Sequence, residues 1–201
     1  MIFEKELELK IFPFINSFQK DFIIHGNSHI SRCLVYANSL CYLEKVSEED
    51  RISVLYSVAF HDSGRILDYG IDKNENLNIE KLKLYLEKEN KLYLFENISK
   101  IMLKNSEKSI LNNIFHDVDV LDIMRPSCGV GGIFNFKKEY SKLIKEKSYY
   151  NELINECWSL ICLTDNNEIY NSVNSFDLIK ELIKKNDFKI LSKLSIKPLR
   201  L

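Results

Sequence analysis

ISVLYSVAFHDSGR, residues 52–65, is the stretch that decides the expected fold of this chain. Its first nine residues, 52–60, are apolar on nearly every face of a helix, and a helix of that kind is normally buried. Ser47 precedes it and is followed by three acidic residues, which favour the positive end of a helix. We therefore expect a central, buried helix that begins near residue 47 and ends in the polar sequence HDSGR, 61–65.

Helical periodicity also dominates the rest of the chain. Only 6 glycines and 3 prolines are available as breakers, and apolar–polar alternation, repeats and linkers are scarce or absent. We expect a helix over 3–21 with a kink at Pro13. A second helix should start at 26–28, where Asn27 or Ser28 can act as the cap, and end at about 42. Further helices are expected over 78–89, 95–104, 108–124, 135–146, 148–164 and 174–194, the last broken near Asn186–Asp187.

These patterns predict an all-α fold, a single-domain helical bundle that covers residues 1–201. The motifs described below lie within about 22–130, which we take as the core of the domain. Residues 131–201 are then expected to supply additional packing helices.

Charge balance and cysteine usage exclude several classes of protein. Lysine and arginine number 28 against 29 acidic residues, so the net charge of −1 does not predict general nucleic-acid binding. The first ten residues, MIFEKELELK, are too charged for a signal peptide, and no apolar run approaches the roughly 18 residues of a membrane span. Five cysteines form an odd set without a CxxC pair, which is typical of reduced thiols. We expect a cytoplasmic protein that does not contact membranes.

The four histidines of the chain lie in three short polar blocks. His25 and His29 lie four residues apart in FIIHGNSHISR, 22–32, and His61 and His116 are each followed directly by an aspartate. Imidazole and carboxylate together suit a divalent transition metal ion rather than Mg²⁺ or Ca²⁺. A histidine from one helix, an adjacent His–Asp pair and an aspartate from a third helix would give a His₂Asp₂ set that leaves positions for water and substrate.

Arginine marks the same three blocks. The chain has five arginines, and three of them, Arg32, Arg65 and Arg125, close the three blocks. Arg32 lies at i+3 from His29 and therefore shares its helical face. Because guanidinium groups are the usual forks for phosphate oxygens, these positions predict a phosphorylated substrate.

Three motifs together resemble the signatures of the HD-domain superfamily of metal-dependent phosphohydrolases. They are HISR (29–32), AFHDSGR (59–65) and DVDVLDIMR (117–125), and the resemblance covers about residues 22–130. It implies a fold of the HD type and a phosphohydrolase or phosphodiesterase that acts on a small nucleotide or nucleotide-like phosphate ester. Members often pair, so it also implies a homodimer as an assembly to test.

By the same resemblance, the metal ligands are His29, His61, Asp62 and Asp117. The metal would be one divalent transition ion, for which Mn, Fe, Co and Ni remain open. Dinuclear members carry further histidines after the His–Asp pair, whereas this chain has none from 62 to 115. Asp119 and Asp122 compete with Asp117 for the ligand role, and Asp122 is also spaced to pair with Arg125.

The remaining candidates are substrate-side residues. His25 completes HGxxHxxR, a form similar to a sub-branch that includes phosphodiesterases, and is expected to protonate or position the leaving oxygen. Arg32 and Arg65 are expected to act in catalysis by neutralising charge on the phosphoryl group, and Arg125 and His116 to bind substrate. We interpret GVGG, 129–132, as a flexible loop near the site, and Cys128 as no nucleophile.

Two other functions stay open at this point. In a metal-independent phosphodiesterase, His25 and His29 would act as nucleophile and acid. In the second alternative, the protein is an HD-type module that binds a nucleotide or a protein partner and catalyses no reaction.

Overall fold

A computed structural model describes residues 3–19, 22–68, 75–103, 109–124, 138–166, 169 and 172–194. Within these ranges the chain is helical and has no β-strand, so the prediction of an all-α fold is confirmed. The helices are α1 Phe3–Glu6, α2 Phe12–Asn16, α3 Asn27–Leu43, α4 Glu48–Phe60, α5 Glu75–Lys88, α6 Phe95–Met102, α7 Ile110–Asp122, α8 Tyr150–Asn166, α9 Ser175–Lys185 and α10 Leu191–Leu194.

Helix α4 is the buried central helix that its sequence predicts. Every residue from Ser53 to Phe60 is buried, and the helix packs against α3, α5, α6 and α7. Ser47 is the N-cap, and its Oγ accepts a hydrogen bond from the Asp50 amide at 3.1 Å. Because α4 ends at Phe60, the polar residues after it emerge from the interior of the molecule.

Helix α3 is the second buried helix. All residues from Asn27 to Cys41 are buried, and the helix packs against α4, α7, α8 and α9. The capping prediction is wrong by one position, because Gly26, with extended backbone and no side chain, is the N-cap. His29 lies in the first turn of α3 and is therefore held in the core.

Two other segments differ from the sequence predictions. The N-terminal helix contains a π-helical turn, Leu7–Ile11, immediately before the expected irregularity at Pro13. The described part of 135–146 is not an α-helix; it forms two 3₁₀ turns, Lys138–Tyr140 and Ile144–Glu146. The expected break near 186–187 is present, since α9 ends at Lys185 and Asp187 has a φ of 49°.

The buried apolar residues of these helices form a hydrophobic cluster that extends from Phe3 to Leu191. The last helices, α8 to α10, contribute to it and pack against α3. In the part of the chain that is described, no helix is both long and apolar enough to cross a bilayer. Several buried polar groups lie where α3, α4 and α7 meet, among them His29, Asp62 and Asp122.

Candidate metal centre and the adjoining cleft

Two imidazoles meet in the interior. His29 of α3 and His61, the residue after α4, have their Nε2 atoms 3.1 Å apart. The His29 side chain is fully buried and that of His61 is 10% exposed. Buried imidazole nitrogens require a hydrogen-bond or metal partner, so the chemistry of this site depends on what lies between the two Nε2 atoms.

The Nδ1 atoms of both rings are engaged by acceptors. Nδ1 of His29 lies 2.8 Å from Oδ2 of Asp122, and Nδ1 of His61 lies 2.6 Å from the carbonyl oxygen of Val58. An Nδ1–H donated to each acceptor leaves the two Nε2 lone pairs facing each other. Two such lone pairs need a proton or a cation between them, and this second set of hydrogen bonds is the one that orients metal-binding histidines.

Two carboxylates complete the cluster. Oδ2 of Asp62 lies 3.5 Å from Nε2 of His29 and 3.2 Å from Nε2 of His61. Oδ1 of Asp119 lies 3.8 Å from each of the same nitrogens. Two imidazole nitrogens and two carboxylate oxygens form a donor set that suits a divalent transition ion.

The electrostatics of the cluster favour a cation. Burial disfavours the charged form of His61, but Asp62 and Asp119 outweigh it and raise the pKa of His61 to about 9. Burial also opposes ionisation of Asp62, yet His61 and hydrogen bonds from neighbouring imidazoles hold its pKa well below the usual range. The two carboxylates therefore favour a proton on His61, and a bound metal ion could take the place of that proton.

Asp117, a ligand by the resemblance, is not brought to this cluster. Its buried carboxylate accepts the backbone N–H groups of Lys142, Leu143 and Ile144 at 2.7, 2.8 and 3.0 Å. Those bonds take the three amides out of any helical ladder, which explains why 138–146 is not an α-helix. Asp119, two residues later, is the α7 carboxylate that faces the histidines.

Arg32, expected to contact the phosphate, lies on the other side of the cluster. Its guanidinium donates to both carboxylate oxygens of Asp122, from Nε at 2.6 Å and Nη2 at 2.9 Å, and Nη1 donates to Oγ1 of Thr164 at 3.0 Å. Burial opposes the charge, but Asp122 raises the pKa of Arg32 above its ordinary value. Arg32 therefore fixes the carboxylate that orients His29.

A cleft of about 490 Å³ opens beside the cluster. Five of the candidate residues named from the sequence line it, namely His61, Asp62, Arg65, His116 and Asp119. Nη1 of Arg65 lies 3.6 Å from Oδ1 of Asp62. The predictions for Arg125, Cys128 and 129–132 fall outside the described residues.

His25 does not line the cleft itself but is bonded to Asp62, which does. Its Nδ1 lies 2.7 Å from Oδ2 of Asp62, and its backbone N–H donates to Oδ1 of Asp68 at 3.0 Å. The same Asp68 carboxylate accepts the amides of Ile23 and Ile24. Asp62 and Asp68 thus both bond to the segment that enters α3, and His25 fixes the orientation of Asp62.

Two further residues hold the loop after α4 and were missed by the sequence reasoning. The Asn78 amide donates to the carbonyl oxygen of His61 and accepts the Gly64 N–H at 2.6 Å. Gln19 donates to the carbonyl oxygen of Asp62. Neither residue belongs to a motif, and the separations of 17 and 43 residues leave no local signal in the sequence.

Comparison with known proteins does not identify a relative, since no protein-family model, curated protein or solved structure matches the chain.

Proposed function

We propose that this protein is a metal-dependent hydrolase of small phosphate esters, nucleotide-like in size, with a helical core of the HD type. The observation that carries the proposal is the convergence of two Nε2 lone pairs and two carboxylates at the wall of an open cleft. The same cleft offers cationic groups beside that donor set, which is the combination that phosphoryl transfer needs.

His29, His61, Asp62 and Asp119 are the residues that would hold the metal ion. The ion, when bound, supplies Lewis acidity toward a phosphoryl oxygen and lowers the pKa of water. Asp122 holds the proton on Nδ1 of His29, and the Val58 carbonyl does the same for His61, so both Nε2 atoms remain donors to the ion.

Arg65 and Lys142 are the cationic residues of the cleft lining. Their charges favour binding of a phosphate dianion and offset charge that develops on the phosphoryl oxygens. The apolar part of the lining includes Ile101, Met102 and Phe115, which can pack against the organic part of an ester.

Full burial of the His29 side chain supports a metal-dependent reaction over a metal-independent one. In that reaction His29 must donate a proton to the leaving oxygen of the substrate, and a fully buried ring whose Nδ1 is bonded to Asp122 cannot reach that oxygen. A non-catalytic module is also compatible with the His–Asp cluster, but it predicts that no ester is hydrolysed.

The test is elemental analysis and an ester panel on one preparation. We expect about one Mn²⁺ per chain after loading and gel filtration, and hydrolysis of phosphomonoesters or phosphodiesters that a chelator abolishes. His61→Ala removes a ligand and should lose both ion and turnover, by more than the roughly 10–100-fold of an outer-shell change. Asn113→Ala, on α7 and outside the cleft lining, is the matched control and should keep both.

Two results contradict the proposal. Metal binding without turnover of any ester favours a non-catalytic module. Turnover that survives both the chelator and His61→Ala favours the metal-independent reaction.

A further inference from the structure

A second histidine–carboxylate pair borders the cleft, outside the donor cluster. Nδ1 of His116 lies 2.9 Å from Oδ1 of Asp117. The His116 side chain is 29% exposed and lines the cleft, whereas Asp117 is fully buried beneath it.

The Asp117 carboxylate is immobile, because the three amides of Lys142, Leu143 and Ile144 hold both of its oxygens. An Nδ1–H of His116 donated to this fixed acceptor sets the tautomer and the direction of the ring. Nε2 of His116 makes no hydrogen bond within the described ranges, so it is the ring nitrogen left for a group in the cleft. A base oriented by a third group in this way is the recurrent arrangement of proton-transfer sites.

His116 is also close enough to the donor cluster to reach the ester oxygen of a phosphoryl group that is bound there. It precedes Asp119 by three residues on α7, so their Cβ atoms are about 5–6 Å apart on one helical face. Asp119 reaches Nε2 of His29 and of His61 at 3.8 Å. A phosphoryl group held at the cluster can therefore direct its ester oxygen toward His116, one helical turn away.

We infer that His116 is the general acid that protonates the leaving oxygen of the ester, an inference that rests on the proposed function. A water oxygen forms the new bond to phosphorus with its own electron pair and releases a proton to solvent. The bond from phosphorus to the ester oxygen breaks with its pair on that oxygen, which takes the proton from Nε2 of His116. The neutral imidazole regains a proton from solvent, and the net products are phosphate and the alcohol.

The kinetic test compares two leaving groups in His116→Gln. Turnover of the best alkyl phosphate in the panel should fall by roughly 10²–10⁴-fold, which is the contribution of a positioned general acid. Turnover of p-nitrophenyl phosphate should fall by less than about 10-fold, because its weakly basic leaving group departs without a proton. Metal content should equal that of the wild type, and Asn113→Gln on the same helix is the matched control.

A second readout does not depend on turnover. In protein loaded with diamagnetic Zn²⁺, inorganic phosphate should shift the ¹⁵N resonance of His116 Nε2 in a saturable titration, while Nδ1 keeps its bond to Asp117. Absence of any shift overturns the inference.

The kinetic outcomes separate this inference from the proposed function. An unaffected His116→Gln, equal losses on both leaving groups, or loss of the metal from this variant overturns the role of His116 alone. Absence of turnover of every ester by the metal-loaded wild type overturns both proposals.

Discussion

Asp117 and Asp119 illustrate how much depends on single positions of α7. At about 100° per residue they lie about 200° apart around the helix, so one helix cannot direct both toward the same ion. Asp119 shares its face with Asp122, at i+3, and Asp122 is bonded to His29 and Arg32 of α3. Asp122 is therefore buried where α7 meets α3, and Asp119, whose side chain is 59% exposed, lies beside that contact at the cleft.

This geometry predicts different outcomes for two matched substitutions. Asp119→Asn removes a carboxylate from the donor cluster and should weaken metal binding by more than the roughly 10–100-fold of an outer-shell change. Asp117→Asn should keep the metal but lower the free energy of unfolding by about 1.5–3 kcal/mol, because a charged acceptor of buried amides is lost. Competition against a metal-chelating dye and urea unfolding measure the two quantities.

The reverse pattern contradicts the assignment. If Asp117→Asn releases the ion while Asp119→Asn retains it, the α7 ligand is Asp117 and the fixed turn at 142–144 rearranges when metal binds.

At this scale the sequence predicted some partners and not others. His29, His61 and Asp62 do meet, because each lies at a helix end or first turn whose burial is readable from apolar periodicity. Arg32 was expected in the substrate site, since the spacing of the motif places it near His29 but does not show which side of the ring it faces. That side depends on Asp122 and Thr164, which are 90 and 132 residues away.

At the scale of elements, the turn between α4 and α5 determines the position of His61 and Asp62. Gly64 lies where α5 approaches most closely, and a Cβ there would be 2.6 Å from the backbone carbonyl carbon of Leu77 and 2.7 Å from the amide nitrogen of Asn78. No side chain fits at that distance without a shift of α5, so the glycine is required for the two Asn78 hydrogen bonds that hold the turn.

Gly64→Ala should therefore affect both stability and metal binding. Overpacking of this kind lowers the free energy of unfolding by about 1–3 kcal/mol. Because the displaced turn carries His61 and Asp62, metal affinity should fall in the same variant. Ser63→Ala is the control, since it removes only one hydrogen bond, from Oγ to the Phe60 carbonyl oxygen, and should cost about 1 kcal/mol or less without loss of metal affinity. Equal effects of the two variants would contradict the steric argument.

The helices themselves were mostly predictable, and the exceptions have physical causes. The start of α4 was readable from Ser47, whose hydroxyl accepts the amide of Asp50; the structure adds that Ser109 caps α7 in the same way, by accepting the amide of Asn112. The segment 138–146 reads as helix by local pattern, but the carboxylate of Asp117 competes for its amides. The secondary structure of this segment is therefore set by a contact with a distant residue, which local helix propensity does not reveal.

At the scale of the whole molecule, a buried carboxylate helps to hold the N-terminal segment against the core. Glu6 is fully buried, and it accepts the hydroxyl groups of Tyr56 at 2.7 Å and Tyr85 at 2.8 Å and an ammonium proton of Lys91. Tyr56 belongs to α4 and Tyr85 to α5, and Lys91 lies three residues after the end of α5. No motif marks Glu6, since the sequence shows only one acidic residue among several in a charged N-terminal stretch.

The charge state of Glu6 should couple the stability of this assembly to pH. Burial alone would raise its pKa, but the hydrogen bonds from Lys91, Tyr56 and Tyr85 outweigh it and lower the pKa from the ordinary 4.5. The unfolded chain therefore binds this proton more readily than the folded protein does. The contribution of Glu6 is complete above the unfolded pKa and is lost as the pH falls through the folded one.

We therefore expect a difference in slope between the wild type and Glu6→Gln. Urea unfolding of metal-free protein, followed by helical circular dichroism from about pH 6 to pH 3, should show stability falling less steeply below pH 4.5 in Glu6→Gln. At neutral pH the variant should be less stable by about 1.5–3 kcal/mol, since a buried charged acceptor is lost. Glu96→Gln is the control, because the Glu96 pKa is lowered by Lys100 at an exposed site and its effect should vanish in high salt. Parallel pH profiles for wild type and Glu6→Gln would show that Glu6 is protonated in the folded protein, and that its hydrogen bonds to Tyr56, Tyr85 and Lys91 do not depend on a carboxylate charge.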